Sequence, residues 1–329
     1  MKKLYIILLA GAAASGPLLT GCSKSHTGAA PPGARAEATA TAPNDGPADL
    51  RIKWKEGVTF PMRMELDQGT EMKAPGQAAP TKQKVKMTQD FNLTGIKKLD
   101  NGGWEFGLEF KNEAMDVSDG QHSVMNFDST QSPAQDGDNP AAPILRAMIG
   151  PRIEYFTDAA GKVEKMGGVD ELSSRIAAAT KPQQRAMFKQ VYDEDTLKRY
   201  GSFSDALPNR MANLGESWPV KNDIGSVIGT LTMDMKYTFK NWEQHGDRLC
   251  AHVVGTGTIS SKTVSAAMVG AAVEIQKGKL SDEFWFDPKA GMIAEVHDVQ
   301  DMTLKITTRT ETMTQELTQN VRLSLMDAL

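Results

Sequence analysis

VKMTQDFNLTGIKKLDNGGWEFGLEF, residues 85–110, reads as two strands and the turn between them. Val85, Met87, Gln89, Phe91 and Leu93 alternate with Lys86, Thr88, Asp90 and Asn92, so one side is mostly apolar and the other polar. Successive side chains of a strand point to opposite faces, and a period of two marks a strand with one buried face. Asp100-Asn101-Gly102-Gly103 follows with the residue types that tolerate turn dihedrals. Trp104, Phe106, Leu108 and Phe110 then return with the same alternation, which predicts an antiparallel hairpin with its apolar side inward.

Upstream, Leu50, Ile52 and Trp54 alternate with Arg51, Lys53 and Lys55, and Met62, Met64 and Leu66 repeat the pattern. Both are read as strands, and Gln68 to Lys82, with Pro75, Gly76 and Pro80, as a long hairpin connection. Downstream, the hairpin recurs at an offset of 146: Met87 matches Met233, Phe91 matches Tyr237, Leu93 matches Phe239 and Ile96 matches Trp242. A turn at His245-Gly246-Asp247 follows, then Leu249, Ala251 and Val253. Ile153-Glu154-Tyr155-Phe156 before Asp158-Ala159-Ala160-Gly161 parallels Glu283-Phe284-Trp285-Phe286 before Asp287-Pro288-Lys289-Ala290-Gly291. A duplicated unit explains these matches, with chance similarity as the alternative.

Between the copies lies a helical stretch, read as the only one. Asp170 is expected to cap a helix through Glu171 to Ala179, Pro182 to start another running to about Tyr200, and Ser204 to Asn213 to form a short third. The run Met302 to Thr312 alternates again, Val321, Leu323 and Leu325 finish the chain, and for Ser265 to Ile275 periodicity leaves strand or helix open. The fold class expected is α+β, mainly β: a duplicated antiparallel sheet or half-barrel with a central helical insertion. Its single domain covers residues 49–329, with halves at about 50–168 and 214–329 joined by helices at about 170–213.

Lys2 and Lys3 precede an apolar run from Leu4 to Ala14, too short to span a bilayer, so residues 1–21 read as a signal peptide. Its end, Leu19-Thr20-Gly21-Cys22, resembles the lipobox of bacterial lipoproteins; a plain secretory signal with an unrelated cysteine is the alternative. The resemblance implies cleavage after Gly21, a diacylglyceryl thioether on Cys22 and a new N-terminus acylated with a fatty acid such as palmitate. One acyl chain binds reversibly at about 0.8 kcal/mol per buried methylene, whereas two or more hold stably. Ser23 after the cysteine, by analogy with enterobacterial sorting, favours the outer membrane. Residues 22–48, rich in Ala, Pro, Gly and Thr, read as a disordered tether spanning on the order of 25 to 30 Å.

The charge is −4, and losing Lys2 and Lys3 with the signal takes it to −6, against a nucleic-acid partner that needs a basic face. With Cys22 lipidated, Cys250 has no partner for a disulfide. No HExxH, GxSxG, CxxC, Walker-type loop or GxGxxG occurs. The histidines, His26, His122, His245, His252 and His297, are scattered along the chain and read as solvated or structural. Asp116, Asp119 and His122 are the nearest thing to a polar cluster but read as a turn, and Asp136-Gly137-Asp138-Asn139 lacks the later ligands of a calcium loop. Asp193-Glu194-Asp195 reads as a solvated helix face. Trp54, Trp104, Trp242, Trp285, Phe284 and Phe286 read as core or as ligand lining. No catalytic residue, metal ligand or cofactor is therefore expected, and no ligand-binding residue is assigned.

Leu50-Arg51-Ile52-Lys53-Trp54-Lys55-Glu56-Gly57, Met87-Thr88-Gln89-Asp90 and Trp285-Phe286-Asp287-Pro288-Lys289-Ala290-Gly291-Met292 resemble a family of functionally uncharacterised bacterial envelope lipoproteins. More remotely, the expected architecture is similar to the half-barrels that carry lipids or lipoproteins in the envelope. These resemblances imply a lipid-anchored, non-enzymatic protein that binds an apolar ligand or a partner segment. The alternative is a structural or assembly lipoprotein acting through contacts with other envelope proteins.

Overall fold

A computed structural model describes residues 45–180, 194–202, 204–226, 229–261 and 271–327. The expected signal peptide, Cys22 and most of the tether lie outside the described residues, as do 182–193 of the expected second helix and 265–270 of the ambiguous segment. The strands are β1 (Ala48–Asp49), β2 (Thr59–Lys73), β3 (Thr81–Lys98), β4 (Trp104–Ser118), β5 (Ser123–Asp128), β6 (Arg152–Thr157) and β7 (Val163–Gly167). After the helices come β8 (Met211–Ala212), β9 (Ser217–Ser226), β10 (Gly229–His245), β11 (Arg248–Ser261), β12 (Ala272–Asp287), β13 (Met292–Thr307) and β14 (Thr312–Leu325). The helices are α1 (Ala142–Met148), α2 (Val169–Ala179) and α3 (Glu194–Gly201).

One antiparallel sheet carries nearly everything, in the order β7-β6-β4-β3-β2-β14-β13-β12-β11-β10-β9, with β5 sharing the outer side of β4 with β6. The halves join at the chain's two ends, where β2 pairs β14 with Leu66 opposite Val321. On either side of that seam, β2-β3-β4-β6-β7 and β9-β10-β11-β12-β13 follow in the same neighbour order. Each central hairpin has a register shift near its turn on the first strand, between Gly95 and Lys97 on β3 and between Phe239 and Asn241 on β10. The next hairpins shift between Phe156 and Thr157 and between Trp285 and Phe286, which aligns Tyr155 with Phe284 rather than with Trp285. The turns that follow are closed alike: Asp158 Oδ1 accepts from Ala160 N and Lys162 N, and Asp287 Oδ1 from Lys289 N and Ala290 N.

The sheet is open and ends at β7 and β9, and the segment 168–216 crosses from one end to the other. It is pinned at both: Tyr155 Oη on β6 donates to Leu197 O at 2.7 Å, and Trp218 Nε1 on β9 donates to Ala206 O at 2.9 Å. From Leu197 to Ala206 the chain reaches at most about 25 Å, part of it helical. A flat sheet would hold β6 and β9 about 43 Å apart across nine strand spacings. Even with two side chains added the sheet must curl, and its inner face, α1 (Ile144, Met148), α2 (Leu172, Ile176) and Leu197 of α3 share one apolar cluster. Gly201 is required here, because a Cβ would collide with the Tyr155 ring.

Several expectations are corrected. Leu50, Ile52 and Trp54 are not a strand: Leu50 N bonds Arg210 O and Lys53 N bonds Gly291 O, so this segment runs across strand ends instead of along an edge. The connection after Leu66 shrinks to residues 74–80, because β2 continues to Lys73 and β3 already starts at Thr81. The cap of α2 is Gly168 at φ 76, not Asp170; a Cβ there would meet the Arg152 carbonyl, and Asp170 falls within the first turn. The helices between the halves are not the only ones, since α1 packs Ile144, Leu145 and Met148 inward beyond β5. Ser204 to Asn213 is no helix: turns lead into β8, with Pro208 unable to donate and Asn209 left-handed at φ 53. The run from Met302 breaks at a turn over Thr308–Glu311, where Thr308 N bonds Glu311 O. Arg146 fixes the loop before α1, its Nε and Nη2 each 2.7 Å from Asp136 and its Nη1 3.1 Å from Ser129 O. Arg146→Ala is expected to cost about 1 kcal/mol in urea unfolding and to speed hydrogen exchange in residues 128–141.

Candidate functional site

The inner face of the curled sheet carries the most extensive hydrophobic cluster among the described residues, and it is not uniformly apolar. On β2 the inward positions run Phe60, Met62, Met64 and Leu66, then turn polar at Gln68 and Thr70. Gln68 lies directly opposite Gln319 of β14, and Gln319 opposite Gln300 of β13, so three buried glutamines form a row across neighbouring strands. Beside the row sits Asp298, opposite Asp282 of β12, both buried. A second polar patch pairs Gln89 of β3 with Glu113 of β4, where Gln89 Nε2 donates to Glu113 Oε2 at 3.4 Å. Burial pushes the Glu113 carboxyl up to about 7, only partly opposed by the hydrogen bond from Gln89. Gln68 Oε1, Gln89 Oε1, Gln300 Oε1 and Gln319 Nε2 are buried without a hydrogen-bond partner.

On the outer face, one end of the second half gathers three of the histidines around Trp285. The β10–β11 and β12–β13 registers place Glu243 opposite Cys250 and Trp285 opposite Glu295, bringing four strands to one spot. His245 and His252 stack on the indole with ring centroids 4.4 and 5.1 Å away, and His297 meets it edge-on at 5.1 Å. The indole Nε1 donates to Glu243, and His252 Nε2 lies 2.8 Å from Glu283 Oε1. Beneath, Cys250 is free and buried, its thiol pushed up to about 12 by burial and by the nearby Asp287 charge. Glu295 takes hydrogen bonds from His297, from Arg322 at 2.9 and 3.1 Å and from His245 at 3.3 Å. Burial opposes its ionisation, but those donors together hold its carboxyl at about 2. The folded-state value is depressed, so this group stabilises the fold above pH 4.5 and loses that contribution as the pH falls from 4.5 to about 2. Glu295→Gln is therefore expected to lower the melting temperature at pH 7 and to flatten its decline across that window.

The cluster is not legible as such in the sequence, although both turns that create it are. Folding the hairpins at Gly246 and Gly291 puts Glu243, His245, His252, Trp285, Glu295 and His297 on one face. Their separation along the chain conceals this, and the reading of these three as structural holds, since each lies within hydrogen-bonding distance of a carboxylate. Among the described residues no group of three or more His, Cys, Asp or Glu has the geometry to hold a metal ion.

The other candidates serve turns and loops. Asp119 Oδ1 closes the β4–β5 turn by accepting from Gln121 N and His122 N at 3.1 and 3.0 Å, with Gly120 at φ 90. Asp116 instead accepts from Ser123 Oγ at 2.8 Å and is half-buried, whereas Asp119 and His122 are exposed, with His122 Nδ1 3.9 Å from Asp119 Oδ1. Asp136 is committed to Arg146, and Asn139 Oδ1 accepts from Ala141 N at the start of α1. Trp54 stacks on Phe106 at 4.5 Å and Phe106 on Tyr155 at 5.0 Å, a column within the core. Phe284 and Phe286 are also buried on the inner face, whereas Trp285 between them points outward into the histidine cluster. Cys22 and Asp193 lie outside the described residues.

Among solved structures, the chain is similar to one titled lipid-protein interactions in lipovitellin, at 8% identity and a TM-score of 0.45 over 84% of this chain. The chain spans 26% of that protein's length. It is also similar to DynF from the dynemicin biosynthesis pathway of Micromonospora chersina, at 6% identity and a TM-score of 0.21 over 88% of this chain and 92% of that one. A DUF1329 family protein from Desulfovibrio piger matches at 6% identity and a TM-score of 0.14 over 82% of this chain and 87% of that one. A search of curated proteins finds no match. A protein-family model described as a family of unknown function, DUF6263, matches residues 101–293, more than half of the chain, and the protein belongs to that family.

Proposed function

We propose that the protein is a non-enzymatic lipoprotein of the bacterial envelope whose curled sheet holds an apolar ligand or a partner segment. The observation that carries this reading is the inner face itself: apolar across both halves, backed by the helical insertion, and left with hydrogen-bonding groups that the protein does not satisfy. Buried polar atoms are ordinarily paired, and those that are not mark a place where something else completes the bonding. The lipobox-like Leu19-Thr20-Gly21-Cys22 supports anchoring at Cys22 through acyl chains, and Ser23 supports the outer membrane, facing the periplasm.

Two measurements on the full chain expressed in a diderm bacterium test the two parts. Labelled palmitate is expected to enter the protein and to be lost in Cys22→Ala, which then leaves the membrane fraction; incorporation unaffected by that change contradicts the anchor. Solvent extraction of the purified protein is expected to release a non-covalent lipid in roughly stoichiometric amount, and a protein that carries none contradicts the ligand. The assembly alternative draws on one observation: among the described residues β9 pairs only with β10, leaving an edge ten residues long on which a partner strand can add. Crosslinking from that edge in cells that captures no protein counts against it.

A further inference from the structure

Of the five large hydrophobic side chains exposed among the described residues, Val58, Met211, Leu214 and Leu249 lie at one end of the sheet and Val124 at the other. Scattered exposed apolar residues are ordinary, whereas a gathering at one place marks a contact surface. Leu249 stands opposite Gln244 on the face of Ala251 and Val253, so the apolar inner face runs out to solvent there. With Trp242, Pro288 and Ala290 it lines an open groove of about 750 Å³. Met211 pairs with Asp49, and Gly215 N donates to Phe239 O, which brings Leu214 to the same end. The chain itself enters here: Trp242 Nε1 donates to Gly46 O at 2.7 Å, next to Asp45, where the described chain begins. Cys22 stands 23 residues before Asp45, and a linker of that length spans on the order of 25 to 30 Å. Strands of 15 residues put the opposite end, with Val124, up to roughly 50 Å farther away. The cations at the entry end are already matched: Arg51 and Lys53 pair with Asp49, Arg210 with Glu216, and Arg248 with Asp247 and Asp327. Apolar contact, and not attraction to anionic head groups, is what this surface offers.

Resting on the reading of Cys22 as the lipid anchor, we propose that this end of the sheet docks on the membrane surface, with Met211, Leu214 and Leu249 entering the boundary between head groups and acyl chains. Three side chains bind a bilayer weakly by themselves. The anchor supplies them with a high local concentration of lipid, so a weak contact becomes a held orientation. The bilayer then lies against the groove of Trp242 and Leu249, and the strands run away from it.

The test compares the two ends. The acylated full chain is placed in vesicles of phosphatidylethanolamine and phosphatidylglycerol that carry a nitroxide on the upper acyl chain, with a thiol-reactive fluorophore at Leu249→Cys, Leu214→Cys or Val124→Cys in turn. Cys250 is buried and its thiol pushed up to about 12, so it does not compete for the label. Quenching is expected to be about threefold or more stronger at 249 and 214 than at 124, and unchanged when phosphatidylcholine replaces phosphatidylglycerol. Met211→Ser combined with Leu214→Ser is expected to bring the label at 249 down towards the level at 124, with the protein still on the vesicles. Equal quenching at both ends overturns the docking and leaves the anchor intact, whereas a protein that does not associate with vesicles overturns both. Labels at 249 and 214 that are shielded from iodide but not quenched by the lipid show another segment or protein covering this end, and overturn the docking as well. Quenching undiminished in the serine variant, or lost without phosphatidylglycerol, overturns the assignment to the apolar side chains.

Discussion

Glu113→Gln is expected to stabilise the protein at pH 8 by about 3 kcal/mol and to leave its stability at pH 4 nearly unchanged. The carboxyl of Glu113 is fully buried among inner-face residues, and burial raises it from 4.5 to about 7. A tenfold change in proton affinity corresponds to about 1.4 kcal/mol between the two protonation states, so the full difference is about 3 kcal/mol. The sign follows from proton counting. The folded state binds the proton more tightly, so the favourable contribution is complete below pH 4.5, declines as the pH rises through the interval, and is gone above about 7. Glutamine keeps the shape and the hydrogen bond from Gln89 without titrating. Urea unfolding of both proteins at a series of pH values isolates the effect as a difference, and curves that remain parallel from pH 4 to 8 contradict it.

Tyr155→Ala is expected to cost about 3 to 5 kcal/mol, a large share of the stability of an ordinary domain. The ring is fully buried, stacks on Phe106, sits against Gly201 and packs within the cluster that joins the sheet to the helices. Truncation opens a cavity there and also leaves Leu197 O without the phenol that donates to it. Tyr155→Phe separates the two contributions: the packing stays, the hydrogen bond goes, and a loss of about 1 to 2 kcal/mol is expected. Hydrogen exchange read by mass spectrometry is expected to rise first in α3 for the phenylalanine variant. Protection of α3 equal to that of the unaltered protein indicates that Tyr155 does not pin the insertion to the sheet.

Both residues show what the sequence discloses and what it withholds. Tyr155 and Phe106 are legible as inward positions because a half-buried strand writes its core into every second residue. The mainly β class and the central hairpins follow from that same periodicity, whereas the helices between the halves are placed by their start and stop residues. The candidate site is partly hidden by its own chemistry. The inward residues of β2 change from Met62, Met64 and Leu66 to Gln68 and Thr70, so the apolar alternation stops where the strand does not. Gln315 and Gln319 obscure β14 in the same way, and only Val321, Leu323 and Leu325 stand out. Gln89 is visible because Met87 and Phe91 flank it. The histidine cluster requires cross-strand register, which pairs residues far apart in the chain and leaves no local trace. The start of α2 turns on Gly168, whose left-handed backbone and contact with the Arg152 carbonyl come from tertiary packing.

The claim on which the rest depends is that the curled sheet holds a ligand on its inner face. Native mass spectrometry of the full chain, released gently from envelope membranes, tests it most directly. The predicted result is a principal species heavier than the acylated protein by one lipid of several hundred daltons, removed by collisional activation. A spectrum holding only the acylated protein, unchanged after incubation with an envelope lipid extract, contradicts the claim.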